Sequence, residues 1–242
     1  MNTKLSKLSQ SECFDFFQKV QNKSNSHFLV AEEIANRSEY GMAISHLILG
    51  SEELIKALIL FFQGEKLNLA SINEIDKFFF QHKVRHSFSQ LYTVMGIFLR
   101  PITIFSKRIH DLINDKISRE KIKNLEKAII EGDILTFKTI IERWQRVNLP
   151  KMVKRMNDYS DFWESAEKYK QMGFYADFEN STTLDKVDYQ KAKVVANSLR
   201  KDCKDLIDFM TKIDIKDREM IIMRLNEPKF FNSIEAFFQM KN

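Results

Sequence analysis

Gln81 to His86 reads Gln-His-Lys-Val-Arg-His, and Ser51 to Lys56 reads Ser-Glu-Glu-Leu-Ile-Lys. Both clusters interrupt apolar helical stretches, where charge needs either a partner or a task. His82 and His86 are four residues apart and so project from one helix face, a turn apart. Imidazoles titrate near neutrality, and Lys83 and Arg85 stand beside them. The chemistry on offer is proton removal from a ribose hydroxyl as it attacks the neighbouring phosphodiester, with cations steadying the phosphate charge. The candidate catalytic groups are His82, Arg85, His86 and, from the acidic cluster, Glu53; Lys56 and Lys83 are candidates for holding substrate.

Glu53 is singled out by its neighbours. It lies seven residues after His46 on a stripe with Ala43, Gly50 and Ala57, small residues that let another helix come close. A carboxylate in such a groove could orient a histidine. Glu52 and Lys56, four apart, read instead as a surface ion pair worth a few tenths of a kcal/mol. Metal chemistry is disfavoured. The His82/His86 spacing is that of a zincin, but Lys83 stands where the general-base Glu belongs, and no Glu precedes a histidine by three residues, as a carboxylate-bridged di-iron bundle requires. Cys13 and Cys203 have no partner spacing. No metal and no cofactor is expected. The plainer reading of the basic cluster is one satisfied core histidine on a solvated basic face.

These residues need helices to position them, and the chain supplies the pattern. Ser9-Gln-Ser-Glu12 is a capping box ahead of Cys13, Phe14, Phe16 and Phe17, opening a helix to about Arg37 with an interruption near Asn22 to Ser26. Tyr40-Gly41 reads as a break. Met42 to Phe62 places Ile44, Leu47, Ser51, Leu54, Leu58 and Phe62 at helical spacing, with Gly64 as terminator. A second capping box at Ser71 to Glu74 opens a helix toward Leu99, and Pro101 forces a restart. Further helices follow over Ile102 to Asn114, Ser118 to Glu131, Asp133 to Val147 and Ser160 to Met172. Gly173-Phe-Tyr-Ala-Asp-Phe178 alternates aromatic with small or acidic residues and reads as a short extended segment near 174–178. A long amphipathic helix resumes from Asp188 to Ile213, and the tail is split by Pro228. The expected fold is all-α, a bundle of roughly seven to nine helices. The expected organisation is a helical domain over 1–180 and a C-terminal helical extension over 181–242 packed on the same core.

Composition sets the class: 242 residues, 44% hydrophobic, 29% charged, with six Gly and three Pro, as in a soluble globular chain. Met1 to Lys7 lacks the apolar core of a secretory signal, and the stretch Leu91 to Leu99 falls far short of the roughly 20 residues a membrane crossing needs. No membrane association and a cytoplasmic location are expected. A net charge of +5 is modest, but its distribution is uneven. From Gln81 to Lys123 nine Lys or Arg face three acidic residues, so any contact with RNA belongs there.

Three blocks carry a family resemblance. Ala35-Asn36, Glu39 to Ala43 and Ser51 to Lys56 resemble the opening helical pair of AbiV-type abortive infection proteins. Phe79-Phe-Gln-His-Lys-Val-Arg is similar to their His-Lys signature, and Lys170-Gln-Met-Gly-Phe-Tyr-Ala-Asp to their aromatic Tyr-x-Asp segment; Tyr175 and Asp177 join the substrate-binding candidates on that ground. The blocks keep the family's order. The resemblance implies a bacterial cytoplasmic anti-phage protein of the HEPN superfamily, whose members often form homodimers and often act as RNA-cleaving toxins. One departure stands out. Many HEPN ribonucleases carry an Arg, four to six residues, then His, whereas here Arg37 is nine before His46 and Arg100 ten before His110. A metal-independent endoribonuclease would therefore rest on the local cluster. The alternative is a non-catalytic helical module that binds a phage or host protein, through Phe174 to Phe178 and the Phe230-Phe231 tail. A phage or host protein is also the expected kind of activator.

Overall fold

The computed structural model describes residues 5–69, 75, 79, 81, 85–87, 89–90, 92, 154–155, 157–174 and 184–226. Among them the structure is helical, and no strand occurs. The chain divides into two compact units, one formed by Met1–Tyr92 with Asp161–Asn242 and the other by Thr93–Ser160. In the second, Arg155 lies over the ring of buried Tyr159, 5.8 Å from its centroid. The helices assigned from sequence between Pro101 and Val147, the capping box at Ser71, and Phe230-Phe231 lie outside the described residues.

In the first unit, α1 (Gln10–Asn36) begins at the Ser9/Glu12 capping box, both halves of which are made. The interruption expected at Asn22 to Ser26 does not occur. Ser24 sits inside the helix and donates its hydroxyl to the Gly50 carbonyl at 2.6 Å, and Ser26 bonds back to Asn22 O at 3.0 Å. With tertiary partners for their hydroxyls, the short polar side chains do not compete with the helix.

Helix α2 (Tyr40–Gly64) returns antiparallel to α1, pairing Phe17 with Phe61, Ser24 with Gly50 and His27 with His46. The break falls before Tyr40 rather than at Tyr40-Gly41. Ser38, at φ 65°, is left-handed; Ser38 N–H bonds Ala35 O at 2.9 Å and Glu39 N–H bonds Ile34 O at 3.4 Å, a Schellman arrangement built without glycine. The far end of α2 repeats it. Lys66, at φ 68°, donates to Gln63 O, and Leu67 donates to Phe62 O at 2.9 Å. Gly64 stays helical because its missing side chain makes room for the Phe14 ring, whose atoms would lie 3.0–3.2 Å from a Cβ.

Helix α2 is buried on all sides, which marks it as the centre of the unit. It packs against α1, against α3 (Ala166–Phe174) and against α4 (Lys186–Lys212). Helix α4, which the sequence reading placed in a C-terminal extension, shares this unit. It starts at an Asp185/Asp188 capping box and turns Tyr189, Ala192, Val195, Ala196, Leu199 and Cys203 inward. Lys193 reaches Glu32 of α1 at 3.1 Å, and Arg200 bonds Asn25 and lies over the Phe28 ring. Helix α5 (Ile215–Leu225) is fastened to the end of α2: Asn226 accepts from Asn68 N–H at 2.8 Å and donates to Lys66 O at 3.1 Å.

The crossing of α3 over α2 is the tightest contact. A Cβ on Gly173 would stand 2.0 Å from Ser45 Oγ and 2.1 Å from the Gly41 carbonyl oxygen. The Ser45 hydroxyl also donates to Lys170 O at 3.1 Å, locking the register of α3 on α2. Phe174, expected in an extended segment, is the last residue of α3; residues 175–178 lie outside the described residues.

Two outcomes follow from these contacts. Gly173→Ala forces backbone apart rather than a flexible side chain, so it should cost on the order of 1–3 kcal/mol, read as a lower midpoint in chemical denaturation. Lys66→Gly removes a left-handed penalty of about 1 kcal/mol at an exposed position and should raise that midpoint.

Candidate functional site

Glu52 is the most deeply buried charge among the described residues, 1% exposed. Its neighbours on the helix cannot serve it, because α2 side chains there are apolar or face elsewhere. Consecutive residues on a helix point about 100° apart, so Glu52 and Glu53 leave α2 in different directions. Glu53 faces α1 and takes Lys56 at 2.7 Å and Lys23 at 3.5 Å. Glu52 faces the segment 85–92 and α3.

There the carboxylate meets three basic side chains. His86 Nε2 lies 2.7 Å from Oε1, Arg85 Nε donates to Oε2 at 3.0 Å, and Lys170 Nζ donates to Oε1 at 3.3 Å. Arg85 also donates through Nη1 to the Phe79 carbonyl at 3.1 Å. Lys170 reaches Glu167 at 2.8 Å, and that carboxylate is half exposed. The His86 ring lies beside Trp163, centroids 6.3 Å apart. Gln90, one turn further on, donates to Glu164 at 3.1 Å and ties the histidine segment to the Trp163 region.

Two carboxylates and two permanent cations balance, and the imidazole is held between them. Burial by itself would drive the Glu52 carboxyl up; the His86 hydrogen bond, then the charges of Arg85, His86 and Lys170, outweigh it and bring its pKa down to about 2. Glu52 is therefore a fixed anion that orients its partners. An ionised Glu52 can only accept, so His86 donates to it through Nε2–H and turns Nδ1 to the other side of the ring.

The surface ion pair assigned to Glu52 and Lys56 is corrected. Lys56 pairs with Glu53, and Glu52 is interior, because α2 has no solvent face at this level. Arg85 and His86 converge on Glu52 rather than on Glu53. His82, Lys83, Tyr175 and Asp177 lie outside the described residues. Sequence reasoning missed Glu52 as the anion and Lys170, Glu167 and Trp163 as its surroundings. A signal for two of them was present: Glu52 and Lys170, like Arg85, each fall in one of the three family-like blocks.

HEPN-type domains are helical, as this unit is. The AbiV family model matches residues 12–213, and the chain belongs to the HEPN-type AbiV family of abortive infection proteins. Neither the curated proteins nor the solved structures give a match. Among the described residues no helix is long and apolar enough to cross a membrane.

Glu52→Gln removes the buried anion that Arg85, His86 and Lys170 share, at a cost of about 3–5 kcal/mol. The folded carboxyl titrates near 2 against an ordinary 4.5, so its contribution is full above about pH 4.5 and is lost as pH falls toward 2. Denaturation across pH should show the gap between wild type and Glu52→Gln closing over that window.

Proposed function

We propose that this chain is an anti-phage toxin that arrests translation by acting on RNA in the cytoplasm, with Glu52, Arg85, His86 and Lys170 as its working group. The observation that carries the reading is the 2.7 Å contact from a buried, permanently ionised carboxylate to His86, with two cations on the same carboxylate. Glu52 orients the imidazole, and His86 Nδ1 takes the proton of a ribose 2′-hydroxyl as its oxygen attacks the adjacent phosphorus. The 5′-oxygen leaves as a hydroxyl protonated from water, a 2′,3′-cyclic phosphate remains, and the charge on the phosphate is steadied by Arg85 and Lys170. Because the half-exposed Glu167 already occupies Lys170, phosphate reaches the ammonium by displacing that carboxylate. His82, Lys83, Tyr175 and Asp177 remain proposed contributors to substrate binding, and Lys56, held with Lys23 by Glu53, to a polar margin on the α1 side. The family supports a homodimer as the working assembly and a phage or host protein as its trigger.

A protein-binding module is the second reading, favoured by Phe174, 40% exposed at the end of α3. Induced expression separates the two. Wild type should fragment total RNA and stop growth, and His86→Ala should lose fragmentation by at least 100-fold, the scale of a general base, with helicity unchanged by circular dichroism. Arrested translation with intact RNA in wild type would reject cleavage and leave the binding module.

A further inference from the structure

One hydrogen bond does not fix an imidazole. His86 donates through Nε2 to Glu52 Oε1 at 2.7 Å, which sets the direction of that edge of the ring. The torsion about Cβ–Cγ is broad for histidine, and Nε2 lies nearer that axis than Nδ1 does. A swing of the ring therefore disturbs the Glu52 bond less than it displaces Nδ1, the nitrogen that must meet a hydroxyl within hydrogen-bond reach. A flat neighbour is needed to hold the plane.

Trp163 is placed to do so. It is the largest fully buried side chain among the described residues, 1% exposed. Its indole lies alongside the His86 ring, with centroids 6.3 Å apart and planes inclined by 33°, within the range of offset aromatic pairs. Phe162 meets the indole edge-on at 5.1 Å, and Tyr169 in turn lies 5.9 Å from Phe162. The helical path runs on from Trp163 into α3: Ser165 N–H bonds Asp161 O at 3.1 Å, and Tyr169 N–H bonds Ser165 O at 2.9 Å. Trp163, Glu167 and Lys170 then recur at i, i+4 and i+7 and share one face. One helical stripe presents the indole to His86 and the ammonium to Glu52. Gln90, one turn beyond His86, donates to Glu164 at 3.1 Å and keeps the two segments in register.

We infer that Trp163 is the positioning residue of this site: its indole fixes the plane of the His86 ring and so the direction of Nδ1. The inference rests on the reading of His86 as the base and adds no group that touches substrate. A side chain that only filled the core would lower stability when replaced and leave the order of the His86 ring as it was.

Histidine-selective carbon-13 relaxation on the full chain tests the inference, with the His86 signals assigned by their absence in His86→Ala. In wild type, nuclear Overhauser contacts between the His86 ring and the indole are expected, with a ring C–H order parameter near that of rigid backbone, about 0.85. Order should fall in Trp163→Phe, whose ring is smaller, and fall further in Trp163→Leu, to below about 0.6. On RNA, kcat should drop in the same sequence, by about tenfold or more in Trp163→Leu, with KM little changed. If Trp163→Leu does not fold, Trp163→Phe decides: reduced ring order supports the inference and unchanged order overturns it. Unchanged order in both folded variants, or a mobile His86 ring without indole contacts in wild type, likewise overturns it. RNA left intact by wild type rejects the cleavage reading and leaves ring order to decide this one.

Discussion

A carboxylate removed from water must find its hydration replaced by charge and hydrogen bonds, or it protonates. Glu52 meets that demand with His86, Arg85 and Lys170, and the demand organises much of the unit around α2. The pairing is not an inexpensive way to hold helices together, since taking several ions out of water costs several kcal/mol each before their attraction offsets it. An apolar core of the same volume would pack α2 as well. What the charges add is direction: an imidazole oriented by a carboxylate, flanked by two cations, at a fixed place between elements far apart in sequence.

Small residues make that placement attainable. Gly41 and Gly173 let α3 cross α2 at backbone contact, and the crossing sets how far Lys170 reaches toward Glu52. Gly50 does the same for α1, which brings His27 to His46. The helix ends, by contrast, are closed by Ser38 and Lys66 in left-handed conformation. Glycine here is spent on approach between helices, and turns are left to residues that bear a conformational cost.

The family match gives the chain its setting in abortive infection, and the arginine-to-histidine spacing common among HEPN ribonucleases is absent from its sequence. His86 follows Arg85 directly, and a second cation, Lys170, arrives from α3. Its other carboxylate partner, Glu167, is half exposed.

Local pattern determined the helices. The Ser9 capping box, the apolar periodicity of α2 and the amphipathic run of α4 predict their elements to within a few residues, because caps and hydrophobic spacing act over one or two turns. The order of three short blocks was legible too, and it pointed to the right family. Tertiary structure alone decided which acid meets the histidine. Glu52 and Glu53 are indistinguishable as neighbours in a string, and each can reach Lys56 on paper; only the packing of α3 and the 85–92 segment against one side of α2, and of α1 against the other, gives the histidine to Glu52 and the lysines to Glu53. Helical phase, fixed by what packs on each face, is a property of the assembled bundle and is not written in any one segment.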